Sequence, residues 1–169
     1  MAPRTPTPAA QLKAFVGRFA EPTRRLLSEL RTALRRRLPH AHELVYDNYN
    51  FFVIAWCPSE RVSDAYFSLG ADAHGVNLFF GYNGDKLPDP KGLLQGTGRL
   101  NRFVRLESAK HFGSRDVQAL VKAAVDGSAV PVDTSVQPKL VIKAISPKQR
   151  PRRLATAAAT RRALPVKKR

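Results

Sequence analysis

The sequence predicts an α/β fold, an α+β sandwich in which an antiparallel sheet of about five strands carries helices packed on one face. Three observations predict it. Two segments near the start and one near residue 120 repeat apolar residues at helical spacing. From Glu43 to Tyr82, aromatic and β-branched residues alternate with polar ones in short runs. Glycine-bearing turns separate those runs, as connections between antiparallel neighbours do. A chain of 169 residues, 43% hydrophobic and with nine Phe, four Tyr and one Trp, suffices for one core.

The elements follow in order. Leu12, Phe15, Val16 and Phe19 make an amphipathic helix over 9–20. Pro22 suits the first turn of a second helix that runs to Leu38, with Leu26, Leu27, Leu30, Leu34 and Leu38 on one stripe and Pro39 as its stop. Arg24, Arg25, Arg31, Arg35, Arg36 and Arg37 cover the rest of that helix, as a solvated face or as an anion contact. Glu43 to Trp56 reads as a short strand, a bend at Asp47 and Asn48, and a longer strand. Strands over 62–69 and 75–82 follow, joined by a hairpin at 70–74. Ala65, Phe67 and Leu69 share one parity, as do Val76, Leu78, Phe80 and Tyr82, which gives each strand a face for the helices. Ser114 is the expected N-cap of a last helix striped by Val117, Leu120, Val121, Ala124 and Val125, and Gly127 ends it.

Between the fourth and fifth strands lies the most structured connection. Asn83 and Gly84 suit a tight turn, Leu87 before Pro88 is held extended, and Asp89 with Pro90 reads as an N-cap and first residue of one helical turn over 90–94. Gly96 and Gly98 end that turn, and a strand resumes over 101–107. The order Asp85 to Leu94, then Gly96, Thr97 and Gly98, then the basic strand Arg102 to Leu106, resembles the signature loop of the YdhG-like family of small bacterial domains. The similarity extends to the helix from Pro22 to Pro39, to Glu43–Trp56, to the helix near Arg115–Val125 and to Lys139–Arg153, which is most of the chain. The resemblance implies a compact sandwich similar to frataxin and, for one branch, iron handling by structural analogy. Many relatives carry Tyr-Gly-x-Pro where this chain has Tyr46, Asp47, Asn48 and Tyr49, so a site built on that proline does not carry over. A frataxin-like iron site needs clustered carboxylates, whereas the second helix offers Glu21 and Glu29 among six arginines.

Charge is distributed unevenly. Residues 139–169 hold eleven basic residues and no acid, whereas residues 1–138 hold eighteen basic and thirteen acidic, so +11 and +5 make up the net +16. The expected organisation is a disordered N-terminus over 1–8, the α/β domain over 9–128, and a basic, Pro- and Ala-rich tail over 129–169 that is mostly disordered, with Leu140–Ile145 as a possible edge strand. Such a tail attracts nucleic acid or another polyanion through its phosphates, with Arg150, Arg152, Arg153, Arg161, Arg162, Lys167, Lys168 and Arg169 as the binding cations, or it serves only solubility. In the loop, Gly96 and Gly98 with Lys86, Lys91, Arg99, Arg102 and Arg105 invite a phosphate-cradle reading, although the spacing matches neither a Walker loop nor a dinucleotide fingerprint; the alternative is a crossing loop pinned by Leu93 and Leu94.

The remaining candidates concern surfaces and chemistry. Tyr66, Phe79 and Phe103 fall on the parity away from the helices and form an expected open-face docking surface, for bases, for a partner, or for a second copy of the chain in a homodimer, unless the N-terminal helix covers it. His40, His42 and Glu43 lie close in sequence but lack a third regularly spaced partner, so no metal site is assigned. The single cysteine, Cys57, ends a buried strand and reads as a small core residue; it excludes a disulfide framework and a cysteine cluster. No nucleophile with a base and no paired carboxylates stand out, and no cofactor is called for. Met1–Pro8 lacks the apolar stretch of a secretory signal and no apolar run reaches about 18 residues, so a cytosolic protein that does not span a membrane is expected. The leading expectation is a non-enzymatic binding protein that associates with polyanions; the others are a metal chaperone and a docking module on the open sheet face.

Overall fold

The computed structural model describes residues 5–98 and 100–156. Its elements in chain order are α1 (Pro8–Gly17), α2 (Glu21–Arg37), β1 (His42–Asp47), β2 (Phe52–Cys57), β3 (Phe67–Asp72), β4 (Gly75–Phe80), β5 (Arg102–Leu106), α3 (Ala109–Phe112), α4 (Arg115–Asp126) and β6 (Leu140–Ile145). The strands form one sheet in the order β5-β4-β3-β2-β1-β6. From β1 to β5 every pairing is antiparallel, while β6 lies parallel to β1.

The expected five antiparallel strands thus become six, one of them parallel, and the reason lies in β1. Leu44 is fully buried on one face of that strand and Val45 on the other. A strand apolar on both sides cannot stay at a sheet edge without exposing its flanks, and Leu140, Val141 and Ile142 supply the cover. Register slips between Val45 and Tyr46, where Lys143 is passed over, and Ser146 then donates its N–H to the Asp47 carbonyl at 2.9 Å. The folded body therefore runs well past residue 128, and 140–153 belong to it rather than to a disordered tail.

All helices pack on one face. Leu12 of α1, Leu27, Leu30 and Leu34 of α2, Phe112 of α3 and Val117, Leu120, Val121 and Ala124 of α4 join Val45, Phe52, Ile54, Trp56, Phe67, Leu69, Leu78 and Val104 in one buried cluster. Local chemistry sets the helix starts. The Thr7 hydroxyl accepts from the Ala10 N–H at 3.2 Å with Pro8 beginning α1, and Glu21 at the start of α2 with Arg35, Arg36 and Arg37 at its end complements the helix dipole. Ser108 caps α3 by accepting from the His111 N–H at 3.0 Å. Ser114 occupies the expected N-cap of α4, but its hydroxyl makes no capping bond.

Two boundaries move for identifiable reasons. Residues Val62–Asp64 form a 3-10 turn instead of the start of a strand, because the Asp64 carboxylate draws the Ser59 hydroxyl to 2.6 Å and curls the chain. The expected helical turn over 90–94 is absent. Asp89 still performs the capping chemistry, accepting from the Leu93 and Leu94 N–H groups at 2.8 Å each, but Gly92 at φ +64° diverts the chain before a helix closes.

Candidate functional site

The loop between β4 and β5 does not form a single cradle. Gln95 exchanges both backbone hydrogen bonds with Phe103, at 2.8 and 3.0 Å, so the loop returns along the outer side of β5. Gly96, at φ +106°, makes that return possible, since a side chain there would be strained. The cations proposed for an anion site diverge. Arg102 donates to the Gly98 carbonyl and to the Asn101 carbonyl, Lys91 pairs with Asp116 of α4 at 2.9 Å, and Lys86 is exposed. Arg105 is on the opposite face of β5 from Arg102, with its guanidinium against Gly75. A strand sends successive residues to opposite faces, so the phosphate-cradle reading is corrected to a pinned crossing loop. Arg99 lies outside the described residues.

The arginines at 150–153 also take structural roles. Arg152 is buried, and its Nη2 sits 3.0 Å from Asp47 Oδ1 with both side chains at 3% exposure or less. The same guanidinium donates to the Asn48 and Asn50 carbonyls at 2.6 and 2.9 Å, and Arg18 grips the other Asp47 oxygen. Arg153 donates to the Arg18 and Gly17 carbonyls at 3.0 and 3.3 Å and so satisfies the C-terminal end of α1. Arg150 lies over the half-exposed Tyr49 ring, 5.5 Å from its centre. Arg152 is thus withdrawn from the polyanion site assigned to it, because its guanidinium is buried and both Nη atoms are taken by Asp47, Asn48 and Asn50, leaving only a buried Nε without a partner. Arg161, Arg162, Lys167, Lys168 and Arg169 lie outside the described residues.

The sheet face away from the helices is partly covered: one end is buried, and the rest is half-exposed among the described residues. Leu44, Ala55 and Cys57 form a small cluster there with Tyr46, Ala65 and Val141 at its margin. Beside it Phe51, Phe79 and Phe103 make an aromatic row, with ring centres 5.7 and 5.5 Å apart. Gly70 lies directly under Phe79: a Cβ there would come within 2.5 Å of the ring, so the bare backbone lets the ring settle on the sheet. Tyr66 does not join this row. It is buried in the main cluster, because the alternation of β3 starts at Phe67, after the 3-10 turn.

A concavity of about 480 Å³ opens on this face, lined among others by Tyr46, Phe51, Phe79, Tyr82, Asn48 and Asn101. Burial pushes the Tyr46 phenol up, so its hydroxyl stays protonated. Three of its aromatics were missed in the sequence. Tyr46 alternates with Leu44 along β1, and of the adjacent pair Phe51 and Phe52 one ring must face away from the core; both were readable signals. Tyr82 was assigned to the helix face and instead stands 43% exposed beyond the end of β4.

The helix layer carries a second feature. Arg24, Arg25, Arg35, Arg36 and Arg37 of α2 are exposed. Arg25 pairs with Glu29 at 2.9 Å, and Arg35 approaches Glu43 at 3.5 Å, while Arg24 and Arg36 form no ion pair among the described residues. Arg31 is spent differently: it clasps buried Glu43 through two contacts of 2.5 and 3.0 Å. A groove of about 620 Å³ separates α1 from α2, with Leu12, Leu27 and Ile54 on its floor and Lys13, Arg24 and Arg25 on its walls.

His40, His42 and Glu43 do not converge. His42 is buried and its Nδ1 accepts from the Lys139 N–H at 3.1 Å, while Glu43 serves the α2 arginines. Among the described residues no group of three or more His, Cys, Asp or Glu side chains is placed to hold a metal ion. Cys57 is buried, and burial pushes its thiol up to about 12. No helix among the described residues is long and apolar enough to cross a membrane. No protein-family model matches the chain, and no curated protein or solved structure matches it.

Proposed function

We propose that this is a non-enzymatic, cytosolic binding protein that associates with nucleic acid through contacts to the phosphate backbone. The observation that carries the reading is the outer face of α2, a helix with five exposed arginines of which, among the described residues, Arg25 pairs with Glu29 and Arg35 with Glu43. A net charge of +16 adds a field that concentrates polyanions around the whole chain. The loop residues from Asp85 to Leu106 support membership of the YdhG-like family and a frataxin-like arrangement of the sandwich, and neither of those assigns a ligand.

Phosphate contacts have a diagnostic salt dependence, with log K falling by about 0.9 per phosphate neutralised for each decade of salt on duplex DNA. The test is fluorescence anisotropy of an end-labelled 20-base-pair duplex with the full chain between 50 and 300 mM salt. Binding should weaken steeply with salt, and the triple substitution of Arg24, Arg35 and Arg36 by Gln should lower the slope by two to three contacts. Removing residues 157–169, which takes away Arg161, Arg162, Lys167, Lys168 and Arg169, should lower it again. No binding at 50 mM, or an affinity indifferent to salt, overturns the reading.

A further inference from the structure

The open-face concavity combines three properties that narrow its occupant. Its walls are aromatic, with Phe51 and Phe79 in edge contact at 5.7 Å and the rings of Tyr46 and Tyr82 on the rim. Its polar groups among the described residues are neutral: the amides of Asn48 and Asn101, the Ser68 hydroxyl and the tyrosine hydroxyls, with no charged side chain among the described residues that line it. It lies on a molecule of net charge +16, and Arg105 projects from the same face of β5 as Phe103.

Each property excludes something. The described lining offers no charged partner to a phosphate, a carboxylate or an ammonium group, which favours an uncharged group as the part of the ligand that enters. Aromatic walls with amide and hydroxyl groups beside them suit a flat ring whose edge donates and accepts hydrogen bonds. The surrounding positive field favours a ligand whose remaining part is anionic, and it opposes a second copy of the same chain. A polyanion that carries flat, neutral, hydrogen-bonding rings is a nucleic acid with its bases unstacked.

We propose that the concavity receives an unpaired nucleobase of single-stranded nucleic acid, and that Phe79 and Phe103, 5.5 Å apart across β4 and β5, provide a platform for the next base. The proposal rests on the phosphate-binding reading above and adds to it the class of nucleic acid. Stacking on a protein aromatic is tolerant of sequence, so the preference is for unpaired over paired strands rather than for one base. Gly70 contributes by letting the Phe79 ring lie close to the sheet.

The experiment compares a 12-nucleotide single-stranded oligouridine with a 12-base-pair RNA duplex, both end-labelled, binding to the full chain at one ionic strength. The single strand should bind at least tenfold more tightly, although the duplex carries more phosphates. Phe79→Ala and Tyr82→Ala should each lower single-strand affinity by about 5- to 100-fold, the range of one lost stacking contact, and leave duplex affinity and its salt slope unchanged. Tyr82 lies outside the packed strands and is 43% exposed, so Tyr82→Ala reports on binding even if Phe79→Ala loosens the fold. Equal affinity for the two RNAs, or parental affinity in Tyr82→Ala, overturns the base site while leaving phosphate binding in place. A dimer in sedimentation that Tyr82→Ala dissolves assigns the face to a second copy and overturns it too. Failure of both RNAs to bind removes the phosphate-binding reading and this one together.

Discussion

At the scale of single residues the structure turns on Asp47. Its carboxylate is 1% exposed and is held by Arg152 at 3.0 Å and by Arg18, so the buried charge is neutralised by one residue from each end of the chain. Removing one member of a buried pair leaves the other without compensation, at a cost of about 3–5 kcal/mol. Asp47→Ala should therefore lower the stability measured by urea unfolding by that amount, and Arg152→Met should lower it comparably, because it leaves the buried Asp47 carboxylate with Arg18 alone. Cys57 behaves in the opposite sense. Its thiol, pushed up to about 12 by burial, stays neutral near pH 8 and should resist a thiol-specific disulfide reagent in native protein while reacting at once in 6 M guanidinium. Because the folded value lies above the ordinary 9.0, the thiol's contribution to stability is complete below pH 9 and is lost as pH rises toward 12. The core character of Cys57 was legible from its place at the end of an apolar strand. The role of Asp47 was not, because its partner Arg152 stands 105 positions away, and local chemistry offers only a bend.

Elements show the same division between near and far. The leucine stripe of α2, the alternation of β4 and the valine stripe of α4 are local periodicities, and each face was readable before the contacts were known. β6, which lies at the sheet edge, was read only as a possible edge strand within a mostly disordered tail, since Leu140, Val141 and Ile142 are a short apolar run amid prolines and cations, and the need for them is written in β1. The measurable consequence is that a chain ending at residue 138 should lose cooperative unfolding or aggregate, because Leu44 and Val45 would flank an uncovered edge and Asp47 would lose Arg152. The open face depends on an equally specific arrangement. Gly70→Ala would force the Phe79 ring off the sheet, since the added carbon falls 2.5 Å from it, and should cost about 1–3 kcal/mol in thermal unfolding. The candidate site was half visible for this reason: strand parity gave Phe79 and Phe103, but Tyr66 sits ahead of the regular strand and parity failed there.

For the whole molecule, total charge is a poor guide to where attraction resides. Of the cations in the last 31 residues, Arg152 and Arg153 hold the fold together and Lys139 pairs with Glu60, so part of that charge is spent on structure, while α2 adds five exposed arginines to the surface field of the described body. Raising salt should accordingly weaken nucleic-acid binding far more than it lowers the unfolding temperature, because exposed pairs such as Arg25–Glu29 contribute little to stability while Asp47–Arg152 is shielded from counterions. Parallel thermal melts and binding titrations over the same salt series check this.

The placement of β6 beside β1 also orders events during synthesis. Lys139 meets His42 across 97 positions, so the ladder opened by the first strand is completed only after about a hundred further residues have been synthesised. Until then the nascent sheet presents an apolar, hydrogen-bond-hungry flank to its surroundings, which makes stalled or prematurely terminated products natural clients for chaperones.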